Sequence, residues 1–417
     1  MATQTDPLTA LVNAAMDARR QGRTEEEARL LDEALRLAPA DPRVLNARGM
    51  AALATQDFPL AKESFAAAIA ADPKAPALWI NLATAARSMG DDEAEADALE
   101  EALNVDRRHF MAHLRLAELR QRQADVPSAA FHWSAIVQMA AGMTDRPPQV
   151  VEAAARGQRF LAERSATVQQ QLDESVGDEL AKLGPDARRF KVCVDAALRG
   201  RPIFHNECSG VHFPFLPADE FFDRRHFPWF AELEGGTAAI RAEALQLMAQ
   251  GAESIRPYVN QELGTPVNKW SDLNNSLDWS ACFLWEYGVR NEAVCELCPQ
   301  TAAILDKLPL CPIPGKAPTA FFSILKPGAH IPPHTGVSNT RAIIHLPLVV
   351  PPGCEFRVGA ETRPWVEGEA FAFDDTIEHE AWNRSSEPRI VLIFDVWNPH
   401  LTGAEQALLM KFFEVTA

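Results

Sequence analysis

Two histidines and an arginine in the last quarter of this 417-residue chain are of types suited to metal and anion chemistry. His334 follows a Pro-Pro pair, His379 lies in a polar turn, and Arg389 heads a long apolar run. Imidazole is a good ligand for non-haem iron, which also needs open positions for a co-substrate and for oxygen. In a fold of short strands, ligands 45 residues apart in sequence can meet at one end. The pattern therefore predicts an iron site that supports oxygen chemistry.

Arg389 predicts an anion pocket beside that iron. The residues after it, 390–394, are apolar, so the arginine is expected on an inward-facing strand. A buried guanidinium needs acceptors for its donors, and a dicarboxylate co-substrate would supply them. The alternative is an internal ion pair with a neighbouring acid, for which the candidates are Asp374, Asp375 and Glu378.

The elements expected to position these residues are short strands. Six β-rich runs are separated by Pro and Gly turns, at 280–287, 320–325, 341–350, 355–358, 370–373 and 389–397. Many short strands with irregular turns predict a β-sandwich or jelly roll. A helix is expected at 237–249, packed outside the strands. Residues 202–417 are thus predicted to form a double-stranded β-helix (jelly-roll) domain flanked by helices.

The first third of the chain repeats itself with a period of 34 residues. Small residues recur inside the first helix of each unit, and turn residues recur between the helices. These are Ala15, Gly49, Ala83 and Ala117, and then Gly22, Gln56, Gly90 and Ala124. A repeat of this length resembles the tetratricopeptide family. We therefore expect an α+β multidomain protein, with an N-terminal α-solenoid of four tetratricopeptide repeats over 8–143.

Residues 144–201 are predicted to form a helical linker between the solenoid and the jelly roll. Two amphipathic stretches, 150–161 and 168–183, favour two helices there.

Composition narrows the class of function. The net charge of −17 argues against general nucleic-acid binding, which needs a basic surface. No apolar run approaches the roughly 20 residues of a membrane span. The start of the chain lacks the basic and apolar regions of a secretory signal, and seven irregularly spaced cysteines suit a reducing compartment. We expect a cytoplasmic protein.

Residues 213–407 resemble the aspartyl/asparaginyl β-hydroxylase family of iron(II)- and 2-oxoglutarate-dependent dioxygenases. The motifs that carry the resemblance are Asp278-Trp279-Ser280, Leu284-Trp285, Pro333-His334-Thr335-Gly336, His345-Leu346, Trp365-x-Glu367-Gly368, Phe373-Asp374-Asp375-x-x-Glu378-His379-Glu380-x-Trp382 and Asp395-Val396-Trp397-x-Pro399. In the animal hydroxylase, tetratricopeptide repeats also precede the catalytic domain.

The resemblance implies a role for each matching residue. His334 and His379 would bind Fe(II), with Arg389 acting beside them in catalysis by holding 2-oxoglutarate. Arg389 and Ser323 would bind the distal carboxylate of this co-substrate. His345 would lie near its metal-proximal carboxylate, and Trp285 would line the pocket.

Three departures from the wider pattern bear on specificity. Most related oxygenases carry an acid two residues after the first histidine, where this chain has Gly336. The animal hydroxylase is similar in lacking that acid, so the gap favours its subtype over the lipid-modifying branch. The resemblance also implies two basic residues that hold an acidic substrate in the animal enzyme, and this chain has Phe321 and Ile343 at those positions. Arg341 is the nearby residue expected to substitute in substrate binding.

The function implied is hydroxylation of an amino-acid side chain, at an Asp/Asn-type β-carbon, in a protein or peptide, with O2 as the oxidant. The tetratricopeptide groove would help to present that substrate. Two alternatives stay open: a hydroxylase of a small-molecule or carrier-bound amino acid, and a non-catalytic tetratricopeptide scaffold with a decayed jelly roll.

Overall fold

The structure is a computed structural model that describes residues 6–251 and 254–416. The chain divides into two compact units, with the boundary between Val194 and Asp195. Each unit has hydrophobic clusters of its own. The predicted boundaries after residues 143 and 201 stay predictions.

The first unit begins with eight helices in four antiparallel pairs. They are α1 (Pro7–Arg20), α2 (Thr24–Leu37), α3 (Pro42–Ala54), α4 (Phe58–Ala71), α5 (Pro76–Ser88), α6 (Asp92–Val105), α7 (Phe110–Arg122) and α8 (Val126–Ala141). The turn inside each pair places one residue in the left-handed region: Gly22, Gln56, Gly90 and Ala124, with φ of 70°, 63°, 72° and 58°. These are the four turn positions that recur in the sequence, so the repeat prediction is confirmed.

The small residues of the repeat lie where helices cross. Ala15, Ala83 and Ala117 are fully buried. A Cβ atom on Gly49 would lie 2.5 Å from the ring of Phe65, so glycine is required by the close approach of α3 and α4.

A long helix, α9 (Pro148–Leu183), follows the pairs, and after a short 3-10 turn comes α10 (Arg188–Arg199). The prediction of two helices at 150–161 and 168–183 is wrong in one respect, because α9 runs unbroken through both. Residues 162–167 contain neither proline nor glycine, so nothing in them ends a helix. Ala153 of α9 packs in one cluster with Trp133 of α8.

The second unit contains two antiparallel sheets. Its helices are α11 (Phe230–Gly235), α12 (Thr237–Ala249), α13 (Glu292–Leu297), α14 (Pro299–Leu305) and α15 (Gly403–Thr416). Its strands are β1 (Arg256–Pro257), β2 (Trp279–Glu286), β3 (Val289–Arg290), β4 (Ala320–Leu325), β5 (His330–His334), β6 (Arg341–Val349), β7 (Cys354–Val358), β8 (Glu361–Pro364), β9 (Phe371–Phe373), β10 (His379–Asn383) and β11 (Arg389–Trp397). The larger sheet has the order β1-β2-β4-β11-β6-β9, with β3 paired to β2, and the smaller sheet has the order β5-β10-β7-β8.

Side chains of the larger sheet alternate between two cores. On β11, Ile390, Leu392 and Phe394 belong to the cluster that also contains residues of α12 and α14. Val391 faces the other way, into the cluster shared with the smaller sheet. This period of two leaves the inner face of the sheet to line a cavity. The expected α+β architecture, with helical repeats followed by antiparallel sheets, is confirmed.

No helix in the described residues is long and apolar enough to cross a membrane.

Candidate functional site

His334 and His379 meet because their strands are neighbours. His334 ends β5 and His379 begins β10, and the antiparallel register sets the two residues directly opposite each other. Their ring centroids are 4.0 Å apart. The register shifts between His379 and Ala381, and such irregularities are common beside active sites. Pro332 and Pro333 are tolerated in β5 because it is an edge strand.

Both rings are held in the same way. Nδ1 of His334 is 2.8 Å from the carbonyl oxygen of Pro332, and Nδ1 of His379 is 3.0 Å from that of Ile377. A carbonyl accepts, so Nδ1 of each neutral ring donates and Nε2 keeps a free lone pair. Burial lowers the pKa of His334 to about 4 and holds that of His379 well below its ordinary value. Both imidazoles are therefore neutral and ready to bind a metal at Nε2.

Arg389 is buried and has no counter-ion among residues 6–251 and 254–416. Its side chain is 1% exposed, and within the described part of the chain its Nε and Nη2 atoms have no hydrogen-bond partner. Its guanidinium carbon lies 4.8 Å from the centre of the Trp365 ring. Burial lowers the pKa of Arg389 to about 10, so it stays charged at neutral pH.

The internal ion pair that was the alternative for Arg389 does not form. The Asp374 carboxylate accepts hydrogen bonds from Asn206 and Thr376. Glu378 pairs with Arg357 at 2.8 Å. No acid in the described residues therefore neutralises Arg389, and its positive charge is available to a bound anion.

Ser323 and His345 lie on the same inner face. Ser323, on β4, accepts a hydrogen bond of 3.1 Å from Nε1 of Trp279. His345, on β6, is buried among aromatic rings, and its Nδ1 has no partner among the described residues. Burial, together with the charge of Arg389, holds the pKa of His345 well below its ordinary value.

Trp285 lies on the opposite face of its strand, away from the other predicted residues. It belongs to the hydrophobic cluster that also contains residues of α12 and α14. Arg290 stacks on it, with its guanidinium carbon 5.2 Å from the ring centre. The register of β2 against β4 shifts between Phe283 and Trp285, so these two residues no longer share a face. The tryptophans that line the cavity are Trp270, Trp279 and Trp365.

Asp375 fills the space beside Gly336, which sequence reasoning did not foresee. A Cβ atom on Gly336 would lie 2.1 Å from Oδ2 of Asp375. The Gly336 N–H also donates to the Asp375 carbonyl oxygen at 2.6 Å. A carboxyl group thus stands where Gly336 has no side chain of its own. Burial raises the pKa of Asp375 to about 7.

Arg341 lines the cavity, but its charge is already matched. It forms an ion pair with Asp395, which is almost fully buried. Phe321 and Ile343 also line the cavity.

These groups surround one cavity of about 880 Å³ between the two sheets. Within residues 6–251 and 254–416, no group of three or more His, Cys, Asp or Glu side chains is placed to hold a metal. The arrangement instead fits a metal held by two histidines, with the other positions left to a ligand or water. Unpartnered donors at Arg389 and His345 fit an anionic ligand next to it.

Comparison with known proteins agrees with this geometry. Residues 234–399 match the family described as Aspartyl/Asparaginyl beta-hydroxylase. The aspartyl/asparaginyl beta-hydroxylase of Homo sapiens is 41% identical over 187 residues, which are 44% of this chain and 24% of that protein. The ornithine lipid ester-linked acyl 2-hydroxylase of Rhizobium tropici is 36% identical over 196 residues, which are 46% of this chain and 66% of that protein.

The chain thus spans about a quarter of the human and mouse hydroxylases, 24% and 25%. Among solved structures, MamA of Desulfovibrio magneticus RS-1 overlaps 34% of this chain and 80% of its own length, with 19% identity and a TM-score of 0.31. Over residues 234–399, this chain thus matches the aspartyl/asparaginyl β-hydroxylase family.

Proposed function

We propose that this protein is an Fe(II)- and 2-oxoglutarate-dependent dioxygenase that hydroxylates an amino-acid side chain, at an Asp/Asn-type β-carbon, in a protein or peptide. The observation that carries the proposal is Arg389, a buried guanidinium with no counter-ion among the described residues, in the same cavity as two histidines whose Nε2 atoms have no partner there. A site with one cation-binding end and one anion-binding end suits a metal and a dicarboxylate together.

The anion-binding end is formed by donors that lack partners. An unpaired buried charge costs several kcal/mol, so its retention indicates a ligand that neutralises it. The unpartnered atoms that converge here belong to Arg389, Trp365 (Nε1) and His345 (Nδ1). The Ser323 hydroxyl, already accepting from Trp279, has its own proton free to donate. Arg389 and Ser323 would bind the distal carboxylate of 2-oxoglutarate, with His345 nearer the metal.

The metal-binding end is pre-organised by the backbone. The carbonyls of Pro332 and Ile377 fix the tautomer and the orientation of His334 and His379 before a metal arrives. Bound iron would supply the activation of oxygen that hydroxylation of a carbon requires. The protein's part is to orient the reactants and to exclude water. The rings of Trp270 and Trp279 would help to exclude water, because their centroids lie 4.9 and 6.3 Å from the centroid of the His334 ring.

The helical repeats favour a macromolecular substrate, because stacked repeats create extended surfaces that suit peptides. We propose that their groove presents the substrate segment. All seven cysteines are free thiols, which supports the proposal of a cytoplasmic location.

A second candidate is hydroxylation of a small molecule. The similarity to the Rhizobium tropici acyl 2-hydroxylase, over 66% of that protein, favours it. In this case the repeats would serve assembly.

The test is formation of succinate from 2-oxoglutarate, with a gain of one oxygen atom in a supplied peptide or acyl compound. The full chain is compared with Arg389→Met and with the control Arg384→Met, an exposed arginine stacked on Trp382 outside the cavity. Loss of a buried charged partner costs about 2–5 kcal/mol, so we expect kcat/KM for 2-oxoglutarate to fall on the order of 100-fold in Arg389→Met only. Equal activity of both variants would contradict the proposal.

A further inference from the structure

We infer that Arg357 is a positioning residue for His379, although its side chain lies on the face of the smaller sheet that points away from the cavity. Its guanidinium holds both residues that flank His379 in sequence, Glu378 and Glu380. The inference rests on the proposed function, because it concerns how the metal-binding end of that site keeps its shape. It depends on the contacts of Arg357 and on the irregular backbone pairing of the two strands that carry the histidines.

The pairing of β7 with β10 places Arg357 behind His379. Arg357 lies directly opposite Glu380 in the antiparallel register, and Val358 lies opposite His379. Successive side chains of a strand point to opposite faces of its sheet. The His379 ring therefore points into the cavity, while the carboxylate of Glu380 meets Arg357 on the other face of the same two strands.

All three guanidinium nitrogens of Arg357 donate hydrogen bonds. Nη2 donates to Glu378 at 2.8 Å, Nη1 donates to the carbonyl oxygen of Gly359 at 2.7 Å, and Nε donates to Glu380. The side chains of Arg357 and Glu380 are 18% and 11% exposed, so water screens this ion pair only weakly. The planar fork of a guanidinium fixes the directions of its donors. The chain on both sides of His379 is thereby held against β7.

The backbone on the other side of β10 supplies less restraint. β10 pairs there with β5, in which Pro332 and Pro333 have no N–H to donate. The register of this pair also shifts between His379 and Ala381, which interrupts the ladder of hydrogen bonds. By contrast, β10 stays in register with β7 along its whole length. β7 is therefore the firmer support of His379, and Arg357 is the residue of β7 that binds both neighbours of this ligand.

Loss of Arg357 should weaken metal binding and leave the anion-binding end intact. Arg389 and Ser323 lie on β11 and β4 of the larger sheet, where Arg357 makes none of its hydrogen bonds. Groups that orient metal ligands typically contribute about 10–100-fold to metal affinity, so we expect Arg357→Met to raise the dissociation constant for Mn(II) at least about tenfold. The dissociation constant for 2-oxoglutarate, measured at saturating Mn(II), should not change.

The test is titration of the full chain with Mn(II), followed by the electron paramagnetic resonance signal of the free ion. Arg384→Met is the matched control, because Arg384 also pairs with a glutamate, Glu355, but binds neither neighbour of His379. Arg357→Lys keeps the charge and lacks the fork, so its affinity for Mn(II) should fall between those of Arg357→Met and the control. This variant carries the test if Arg357→Met does not fold.

Three results would count against these expectations. If Arg357→Met and Arg357→Lys bind Mn(II) as tightly as Arg384→Met, the inference is wrong. A parallel loss of Mn(II) and 2-oxoglutarate binding would also overturn it, because that result would indicate general loss of structure. Absence of Mn(II) binding in the unaltered chain would instead refute the proposed function, so the two failures are distinguishable.

Discussion

Arg389 brings a positive charge into the interior, and its neighbours are arranged around that charge. The face of the Trp365 ring lies against the guanidinium, while the indole Nε1 is buried and has no partner in the described chain. A cation over an indole ring is attracted by its electrons, so the ring helps to keep Arg389 in place. The indole N–H is then available as a further donor to the bound anion.

Trp365→Phe separates these two contributions, because it keeps a ring and removes the N–H. A hydrogen bond to a charged group contributes about 1.5–3 kcal/mol, so we expect the affinity for 2-oxoglutarate to fall at least about tenfold. The measurement is calorimetric titration in the presence of Mn(II). Trp382→Phe, whose ring stacks on His330 outside the cavity, is the control and should not change the affinity. Unchanged affinity in Trp365→Phe would exclude the indole as a donor.

Residue types and spacing were sufficient to predict which histidines and which arginine come together. They could not predict Asp375 beside Gly336, because that contact depends on a backbone hydrogen bond between two turns far apart in sequence. The motif resemblance assigned a cavity position to Trp285, but the shift in the register of β2 turns its side chain outward. Such a shift leaves no mark in the pattern of apolar residues.

At the scale of elements, the two strands that carry the histidines were the hardest to foresee. Six of the strands follow runs that the sequence predicts, with ends within about one residue. β5 contains Pro332 and Pro333, and β10 is largely polar, so neither has the alternation of an ordinary strand. They pair because β10 lies between β5 and β7, a tertiary arrangement that local sequence does not encode.

The close crossing of α3 and α4 predicts how substitution of a glycine changes the stability of the solenoid. Gly49→Ala would push a methyl group into the buried Phe65 ring, and overpacking of this kind costs about 1–3 kcal/mol. Gly177→Ala, within α9 and with no atom near the added Cβ, should be neutral or stabilise by about 0.5–1 kcal/mol. Denaturant unfolding followed by circular dichroism compares the two. Equal stability of the variants would show that Gly49 is not required by packing.

A histidine pair between α7 and α8 predicts how the stability of the first unit depends on pH. Nδ1 of His113 and Nδ1 of His132 are 3.0 Å apart, and burial, with the neighbouring His113, lowers the pKa of His132 from 6.5 to about 4. Between these values the unfolded chain binds more protons than the folded chain, so stability falls as the pH falls. We expect the first unit to melt at a lower temperature at about pH 5 than at about pH 7.

His132→Gln should reduce this pH dependence, whereas His205→Gln, at an exposed histidine of the second unit, should not. The measurement is thermal unfolding followed at both pH values. A melting temperature of the first unit that does not change with pH would contradict the assignment.

For the whole molecule, two units with separate cores predict more than one unfolding transition. A ligand that binds only the folded second unit stabilises it by mass action, by about 2.7 kcal/mol at a hundredfold excess over the dissociation constant. In calorimetry we expect Mn(II) with 2-oxoglutarate to raise one transition, and Gly49→Ala to lower the other. A single transition that responds to both changes would contradict this division.

The central claim is that two histidines and one arginine form a site for iron and a 2-oxo acid. The most direct measurement is anaerobic addition of iron(II) and 2-oxoglutarate to the purified full chain, following the weak visible charge-transfer band of a 2-oxo acid chelated to iron. The band should appear in the unaltered protein and in His330→Ala, and be lost in His379→Ala and Arg389→Ala. No band at millimolar 2-oxoglutarate with a folded protein would contradict the claim and favour a scaffold without catalysis.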